Sequence, residues 1–370
     1  SSDPRLETLD NRGLALETRL AVRDFLQVLS RRNPITVFLE NTHWMDSTDF
    51  KVLEFLLKNT VTTRPVLFIL SGRTKGEDSP TAPLRKSCGY YDYLNIEVGE
   101  LSRDHCGELA AQLAERFTTG GTHLFSDHAL DLLWKHSSGN PFFLRELVMH
   151  LLESGGIQQR GGVWRIVDSS VQLSRPESLT GLLQSRLDHL PEQWKKTLML
   201  CSVLGTDFLL DTYKMVCGKL GLTCAESSVF NGLLEKQMLL RLDNADMTGY
   251  RFRHPLIQRT AYESNLSSNL KLIHRAAAEA IEELFENDEE RISAKLASHR
   301  EGAGETSLAA IWGLKAQKHA SDNYQHTTVL HWGEKLLGWL SQETEDYLKV
   351  LERNAKAYLF TARSDEQMAT

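Results

Sequence analysis

Short apolar runs near the start of the chain predict β-strands. Ile35–Leu39, with the sequence ITVFL, is apolar and partly β-branched, and it ends abruptly at Glu40. A run of this kind is typical of a strand buried in a parallel sheet. The run VLFIL at Val66–Leu70 predicts a second strand, and Asn95–Val98 predicts a short third one.

Helical periodicity surrounds these strands and fills most of the remaining chain. Helices are predicted over Leu14–Arg31 and from Ser47 onward, which gives the order helix, strand, helix, strand. This order is typical of a parallel α/β sheet with right-handed crossovers. After Leu101 the predicted helices are Cys106–Phe117, Ala129–His136, Phe142–Glu153, Pro176–Leu190, Pro191–Leu204, Val229–Lys236 and Pro255–Asn265.

Two further patterns divide the helical part. Gly161–Ile166 predicts one arm of a hairpin or a short strand, while Leu239–Leu242 and Tyr250–Arg253 predict two strands around a polar turn. Helices followed by such a strand pair indicate a winged helix. From Asn269 to the end the chain is almost all helix, with alanines at helical spacing, which is typical of closely stacked helix pairs. The predicted array has no clean fixed period.

Composition sets broad limits on function. The chain has 370 residues, 41% of them apolar and 25% charged, which indicates two to four ordinary globular domains. The net charge of −7 gives no basic field for nucleic acid. No signal peptide or long apolar span is evident, and we predict a cytoplasmic location. The scattered thiols, in no metal-ligand spacing, favour a reducing compartment; they are Cys88, Cys106, Cys201, Cys217 and Cys224.

Candidate chemistry lies where the first strand ends. Glu40 and Asn41 follow Leu39, and ligands of parallel sheets bind at the carboxyl ends of the strands. Glu40 is therefore predicted to lie where a nucleotide and its metal would bind. The alternative is a buried strand with an ordinary polar exit. Asp46 is a further acid, expected to cap the next helix.

Five stretches in a fixed order resemble the signal-transduction ATPases with numerous domains (STAND), a branch of the AAA-like P-loop NTPases. FLENTHWMD resembles their Walker B segment, LFILSGR their sensor strand, and HSSGNPFFLREL their GNP motif. LLQSRLDHLPEQWKKTLMLCSVLGTDF and FRHPLIQRTAYESNL resemble the two ends of their winged-helix region. The resemblance covers roughly residues 28–280 and is closest to the bacterial subgroup fused to adenylyl cyclase, protein kinase or LuxR-type modules.

The resemblance implies an α/β fold followed by a mostly α one. Residues 1–100 would be the C-terminal half of the nucleotide-binding core, with part of a P-loop NTPase parallel sheet. Residues 101–175 would be a helical lid, 176–266 a winged-helix domain, and 267–370 the start of a TPR-like helical array.

The resemblance also assigns candidate site residues for ATP or ADP and Mg²⁺. Glu40 would hold the metal, and Asn41 lies where the family has an Asp; an amide can hold a water but cannot accept its proton. Arg73 would be a sensor of the γ-phosphate, Pro141 would lie near the adenine, and His254 would contact the diphosphate. Each residue also has a structural alternative. Glu40 and Asn41 would only end the strand, and Arg73 would be a surface arginine. Pro141 would be a helix start and His254 a structural histidine.

The expected function is a nucleotide-dependent signalling switch in a larger regulator. No G-x-x-x-x-G-K-[ST] loop occurs in the sequence, so we expect that the Walker A loop was cut off or lost and that the isolated chain is not catalytic. Expected partners are an effector domain of the parent chain and a protein or small-molecule ligand on the array, without membrane binding. The alternatives are a non-hydrolysing scaffold derived from an NTPase and a winged-helix transcription regulator. Against the latter, the candidate recognition region mixes basic with acidic residues: Lys214, Lys219, Lys236, Asp207, Asp211, Glu226 and Glu235.

Overall fold

The computed structural model describes residues 11–45, 47–60, 65–73, 94–115, 124–167, 179–244, 247–285 and 289–368. Within these ranges the protein is mostly helical, with fifteen α-helices and three small sheets. The backbone forms two compact units, one of residues 1–96 with 317–370 and one of residues 97–316. Each unit is described by itself.

The first unit begins with the predicted α/β order. Its elements are α1 (Asn11–Leu29), β1 (Ile35–Leu39), a 3₁₀ turn (Thr42–Trp44), α2 (Ser47–Thr60) and β2 (Val66–Leu70). The two strands pair in parallel as predicted, in a register that runs from Ile35 opposite Val66 to Leu39 opposite Leu70. Both strands therefore end at the same edge of this two-stranded sheet. Asp46, the predicted cap of α2, lies outside the described residues.

The prediction of a strand buried on both faces is wrong. Burial alternates along both strands, and Phe38, Leu67 and Ile69 remain 57%, 57% and 42% exposed. The register sets Phe38 beside Ile69 and Thr36 beside Leu67 on this one face. An apolar run determines that a strand forms, but burial of both faces requires a packed layer on each side of the sheet. In the described part of the chain this face has an exposed apolar surface.

The predicted third strand is also wrong. Residues 94–100 belong to no sheet among the described residues, and the apolar side chains of Leu94, Ile96 and Val98 are 80%, 72% and 92% exposed. A strand is stable only when its backbone groups pair with a neighbour, and a short apolar run does not carry that information.

The second unit opens with three helices and a small sheet. α3 (Arg103–Ala114), β3 (Leu124–Phe125), α4 (Asp127–Ser137) and α5 (Pro141–Glu153) precede the hairpin of β4 (Ile157–Arg160) and β5 (Val163–Ile166). The sheet order is β3-β5-β4. Ser102 and Ser126 cap α3 and α4 through side-chain oxygens that accept backbone N–H bonds.

A helix-rich module with an antiparallel sheet follows. It contains α6 (Leu179–Asp188), α7 (Glu192–Leu204), β6 (Asp207–Leu209), α8 (Leu210–Lys219), α9 (Ser227–Glu235), β7 (Leu239–Asn244), β8 (Met247–Phe252) and α10 (Pro255–Glu263). The sheet order is β6-β8-β7. The core of this module includes Phe208, Phe230 and Tyr250. β6 and α8 are not predicted from the sequence. The apolar signal of α8 is short, because only Tyr213, Val216 and Cys217 mark its buried face.

The last five helices are α11 (Ser267–Leu284), α12 (Glu289–Gly302), α13 (Thr306–Asp322), α14 (His326–Trp339) and α15 (Glu345–Met368). α11 packs against α12, and α14 packs against α15. Ala357 of α15 packs with Val329 of α14, where a small side chain permits close helix approach. Ala277 and Ala280 of α11 are fully buried in the core of the preceding module. In the first unit α15 also lies against α2. None of the described helices has the length and hydropathy that a bilayer crossing requires.

Candidate functional site

Hydrogen bonds tie together the two strand ends that precede Glu40 and Arg73. The backbone N–H of Ser71 donates to Leu39 O at 2.9 Å, and Thr42 donates to Ser71 O from its N–H at 2.9 Å and from its Oγ1 at 3.2 Å. Thr42 is only 2% exposed, so its hydroxyl holds this edge from inside. The turn after β1 is thereby fixed onto the exit of β2.

The next residues continue this contact. A Cβ on Gly72 would lie 2.6 Å from Thr42 Oγ1, closer than real Cβ contacts, so glycine is required for this approach. The backbone N–H of Arg73 donates to His43 Nδ1 at 3.3 Å. Arg73 is thus held beside the end of β1 through its backbone, and its side chain is exposed.

Glu40 and Asn41 are exposed at this same edge. Asn41 has φ 59° and ψ 40°, the left-handed region, and its side chain makes no capping bond to the 3₁₀ turn. Asn tolerates this conformation better than most residues, which gives Asn41 a backbone role besides any chemical one. Among the described residues no group of three or more His, Cys, Asp or Glu side chains is arranged to hold a metal. Glu40 contributes one carboxylate.

The GNP turn positions Pro141 at the start of α5. Ser138 and Gly139 adopt positive φ values of 49° and 69°, and Asn140 Oδ1 accepts the N–H groups of Phe142 and Phe143 at 3.0 and 3.1 Å. Pro141 follows the cap, where its missing N–H leaves no helix bond unmade. The Asn-Pro pair is therefore a strong helix start.

Gly139 is required by its packing as well as by its φ. Its carbonyl accepts the N–H of Leu101 at 2.8 Å, and a Cβ on Gly139 would lie 2.6 Å from Leu101 O. The extended segment before α3 is thus held close against the GNP turn.

An open depression lies between this extended segment and the turn. Its volume is about 490 Å³. The lining residues are Val98, Gly99, Glu100, Ser137, Ser138, Gly139, Asn140, Pro141 and Phe143. Apolar surface from Val98, Pro141 and Phe143 faces a polar rim of hydroxyl and amide side chains. Such a mixture suits a flat, partly apolar ring system that also makes hydrogen bonds.

His254 lies beside the residue that follows Pro141. Its ring stacks on Phe142 with centroids 3.8 Å apart and an interplanar angle of 18°. Its Nδ1 accepts the N–H of Leu256 at 3.2 Å, which makes His254 the cap of α10. The structure therefore brings the predicted residues Pro141 and His254 into one neighbourhood of the second unit. Glu40, Asn41 and Arg73 share an edge of the first unit.

A buried ion pair that the sequence patterns do not predict lies within the same unit. Arg186 Nη1 of α6 donates to Glu146 Oε2 of α5, and both side chains have 0% exposure. Both residues stand inside the quoted motifs, HSSGNPFFLREL and LLQSRLDHL. The sequence signal for this pair was a Glu and an Arg that each occupy a position on the apolar face of an amphipathic helix, where a buried charge requires a partner.

Further contacts extend this pair. Arg186 Nη2 donates to the carbonyl oxygen of Lys236 at 2.9 Å and approaches Glu153 Oε1 at 3.5 Å. Arg145 Nε donates to the other carboxylate oxygen of Glu146 at 3.0 Å. The guanidinium of Arg145 also lies 5.0 Å from the Phe142 ring centroid. α5, α6 and the turn before β7 are thus joined by charge-assisted hydrogen bonds.

Comparison with known proteins gives distant similarities. No protein-family model matches the chain. An uncharacterized protein of Rhizobium meliloti is 23% identical over 350 residues, a match that covers 94% of this chain and 32% of that protein. The chain therefore spans about a third of the length of the curated relative it matches.

Two solved structures are also similar to this chain. One is a STAND protein with a tetratricopeptide repeat sensor from Pyrococcus horikoshii, with a TM-score of 0.44 and 12% identity, covering 99% of this chain and 54% of that one. The other is a Walker-type ATPase of Pyrococcus abyssi, with a TM-score of 0.30 and 15% identity, covering 70% and 72%. Both TM-scores are low, so neither similarity by itself assigns a fold or a function to this chain.

Proposed function

We propose that this chain is the nucleotide-responsive switch region of a larger regulator. The observation that carries the proposal is the depression of about 490 Å³ in front of Pro141, a size within the range of small-molecule sites. Pro141, Phe143 and Val98 would contact the faces of an adenine. The backbone of residues 98–100 would offer amide and carbonyl groups to its edge.

The phosphates and the metal require groups from elsewhere in the parent protein. This sequence contains no Gly-rich loop with Lys, and Glu40 contributes a single carboxylate. Magnesium usually takes one or two protein carboxylates and completes its shell with phosphates and waters, so one acid at this edge fits it. The exposed apolar face of the β1–β2 sheet supports a sheet that is completed by further layers in the parent.

The proposed switch acts through contacts around α5. α3–α5 would be a lid and α6–α10 a winged-helix domain, joined by the Phe142–His254 stack and the Glu146–Arg186 pair. ADP would hold the lid closed on the core, and ATP would loosen it. α11–α15 would be a TPR-like sensor that biases this equilibrium when it binds a protein or a small molecule.

The test is nucleotide binding by the parent protein with the depression filled. A Cβ on Gly99 would have no atom within 4 Å, so Gly99→Leu adds volume at the wall of the depression without a backbone clash. We expect this variant to weaken ADP binding at least about tenfold, as judged by titration with a fluorescent ADP analogue. Gly218→Leu is the matched control, because Gly218 also has open space and lies away from this site.

Two results would contradict this proposal. Unchanged ADP affinity in Gly99→Leu would remove the adenine site, and failure of the parent to bind ADP would favour the scaffold alternative. The isolated chain is expected to bind ATP weakly or not at all, and tight binding by it would also contradict the account.

The role of Asn41 has a test of its own. Because an amide cannot accept a proton from water, Asn41→Asp is expected to raise ATP turnover by the parent. Both residues tolerate the left-handed backbone of this position, so the substitution changes chemistry with little strain. Unchanged turnover would leave Asn41 with its backbone role alone.

A non-hydrolysing scaffold is the second candidate. The observations that favour it are Asn41 at the strand end and the lack of a Walker A loop in this sequence. Transcription regulation has less support, because each candidate lysine lies near a carboxylate. Lys214 is 3.4 Å from Asp211, Lys219 is 2.9 Å from Glu283, and Lys236 is 3.3 Å from Glu153.

A further inference from the structure

A chain of three hydrogen-bonded side chains joins α10, α11 and α12. Tyr262 Oη lies 2.9 Å from His274 Nε2, and His274 Nδ1 lies 3.0 Å from His299 Nδ1. His274 is 8% exposed and His299 is 6% exposed. The two histidines come from helices that pack against each other, so their contact is part of the α11–α12 interface.

The packing around His274 leaves little room for another arrangement. A Cβ on Gly302 would lie 2.6 Å from ring atoms of His274, so the ring rests directly against the end of α12. The His274 and His299 ring centroids are 5.2 Å apart, and those of Tyr262 and His274 are 5.8 Å apart. The His274 ring is therefore packed between the end of α12 and the rings of Tyr262 and His299.

Two Nδ1 atoms can share a hydrogen bond only when one carries a proton and the other does not. With both rings neutral, both hydrogen bonds of the Tyr262–His274–His299 chain can form, whether the hydroxyl of Tyr262 donates or accepts. One added proton also keeps the Nδ1–Nδ1 bond, because the second Nδ1 can still accept. A second added proton leaves two N–H groups facing each other at this contact.

The surroundings of the pair oppose its protonation. Burial lowers the pKa of His274, and burial together with His274 and Lys295 lowers the pKa of His299 to about 3. Among the described residues the other charge acting on His274 is Glu301, which opposes this shift. The neighbouring Arg300 binds Glu282 and Glu305 by ion pairs.

We propose that the Tyr262–His274–His299 chain is a proton-sensitive latch that holds α11 to α12. At neutral pH the two neutral rings close the joint, and acid opens it. This device does not depend on nucleotide binding. It would let α12 respond to acidification by separating from α11, which stays packed in the core of the preceding module.

The size of the effect follows from proton linkage. A histidine freed by opening has an ordinary pKa near 6.5, whereas a closed one resists protonation. Opening therefore becomes easier as the pH falls below 6.5, because the open state binds the proton. Between pH 7.5 and 5.5 the opening constant should rise about tenfold for each histidine that remains neutral in the closed state.

Hydrogen–deuterium exchange on the whole chain at pH 7.5 and 5.5, corrected for intrinsic exchange rates, tests the latch. In the wild type, amides of α11 and α12 should lose protection by about tenfold or more. His299→Gln keeps a side-chain hydrogen-bonding group but cannot titrate, so its response should be about tenfold smaller. His189→Gln is the matched control, since His189 contacts His150 in a histidine pair outside the latch, with centroids 5.8 Å apart.

A wild-type response below twofold, or an equal response in His299→Gln, would overturn the proposal. If His299→Gln does not fold, the wild type alone still decides the question through histidine NMR titration. His299 should then stay neutral below pH 5. Titration of His299 near pH 6.5 in the folded protein would overturn the latch as well.

Discussion

Glu146 and Arg186 form an ion pair in which neither side chain is exposed, although forty positions separate them in the sequence. Taking two charges out of water costs several kcal/mol, and only their mutual contact and further hydrogen bonds offset that cost. Arg186 Nε has no hydrogen-bond partner, so the compensation depends on the other nitrogens. Each residue therefore stabilises the fold only while the other is present.

Removal of one partner should be strongly destabilising. Arg186→Met leaves the Glu146 carboxylate buried without Arg186, and we expect the free energy of unfolding to fall by about 3–5 kcal/mol. Urea unfolding followed by circular dichroism measures this change. The double variant Glu146→Met with Arg186→Met should be more stable than Arg186→Met alone, because it does not leave the Glu146 carboxylate buried without Arg186.

Arg259→Met provides the surface control for this comparison. Its partner Glu263 is one helical turn away, and both side chains are more than half exposed. Its unfolding curve should match that of the wild type. A similar loss in Arg259→Met and Arg186→Met would contradict a special role for the buried pair.

His254 should contribute through two separable interactions. His254→Asn keeps a good N-cap for α10 but loses the ring stacked on Phe142, and it should cost about 0.5–1.5 kcal/mol. His254→Ala loses the cap as well and should cost about 1 kcal/mol more. Thermal unfolding of the two variants separates these terms. Equal stability of the two variants would show that the Nδ1 cap contributes nothing.

The contact between the ends of β1 and β2 predicts a glycine effect. Gly72→Ala would set a Cβ against Thr42 Oγ1, and because Thr42 is buried we expect a loss of about 1–3 kcal/mol. Gly218→Ala lies in α8 with open space around the new Cβ, and alanine favours helix, so it should stabilise by up to about 1 kcal/mol. Destabilisation of equal size in both variants would contradict this account of the strand ends.

Thiol reactivity should follow burial. Cys201 is fully buried and its pKa is well above the ordinary value because of that burial, and burial also raises the pKa of Cys217 to about 11. At pH 8 both should resist iodoacetamide, whereas the half-buried Cys224 should be alkylated faster than either. Mass spectrometry of timed samples measures the order, with urea-unfolded protein as the control. Alkylation of Cys201 as fast as Cys224 would contradict the buried thiol core. Cys88 lies outside the described residues.

The predictions that succeeded rest on neighbouring residues. Three predicted helices form close to their predicted starts, behind the caps Ser102, Ser126 and Asn140. Such starts are local, because a capping oxygen and the N–H groups it accepts are only two or three residues apart. The parallel pairing of Ile35–Leu39 with Val66–Leu70 follows from the helix between them. The strand predicted over Asn95–Val98 does not form, because pairing with a neighbour is not a local property.

The sequence by itself determined where most helices and the first two strands form, and it marked the motif stretches that carry Glu40, Arg73, Pro141 and His254. Only the tertiary structure decided which distant side chains meet. Phe142 stacks on His254, Glu146 pairs with Arg186, and His274 shares a hydrogen bond with His299. Such pairs depend on how helices pack, and periodicity specifies which face of a helix is buried but not which residue it will face.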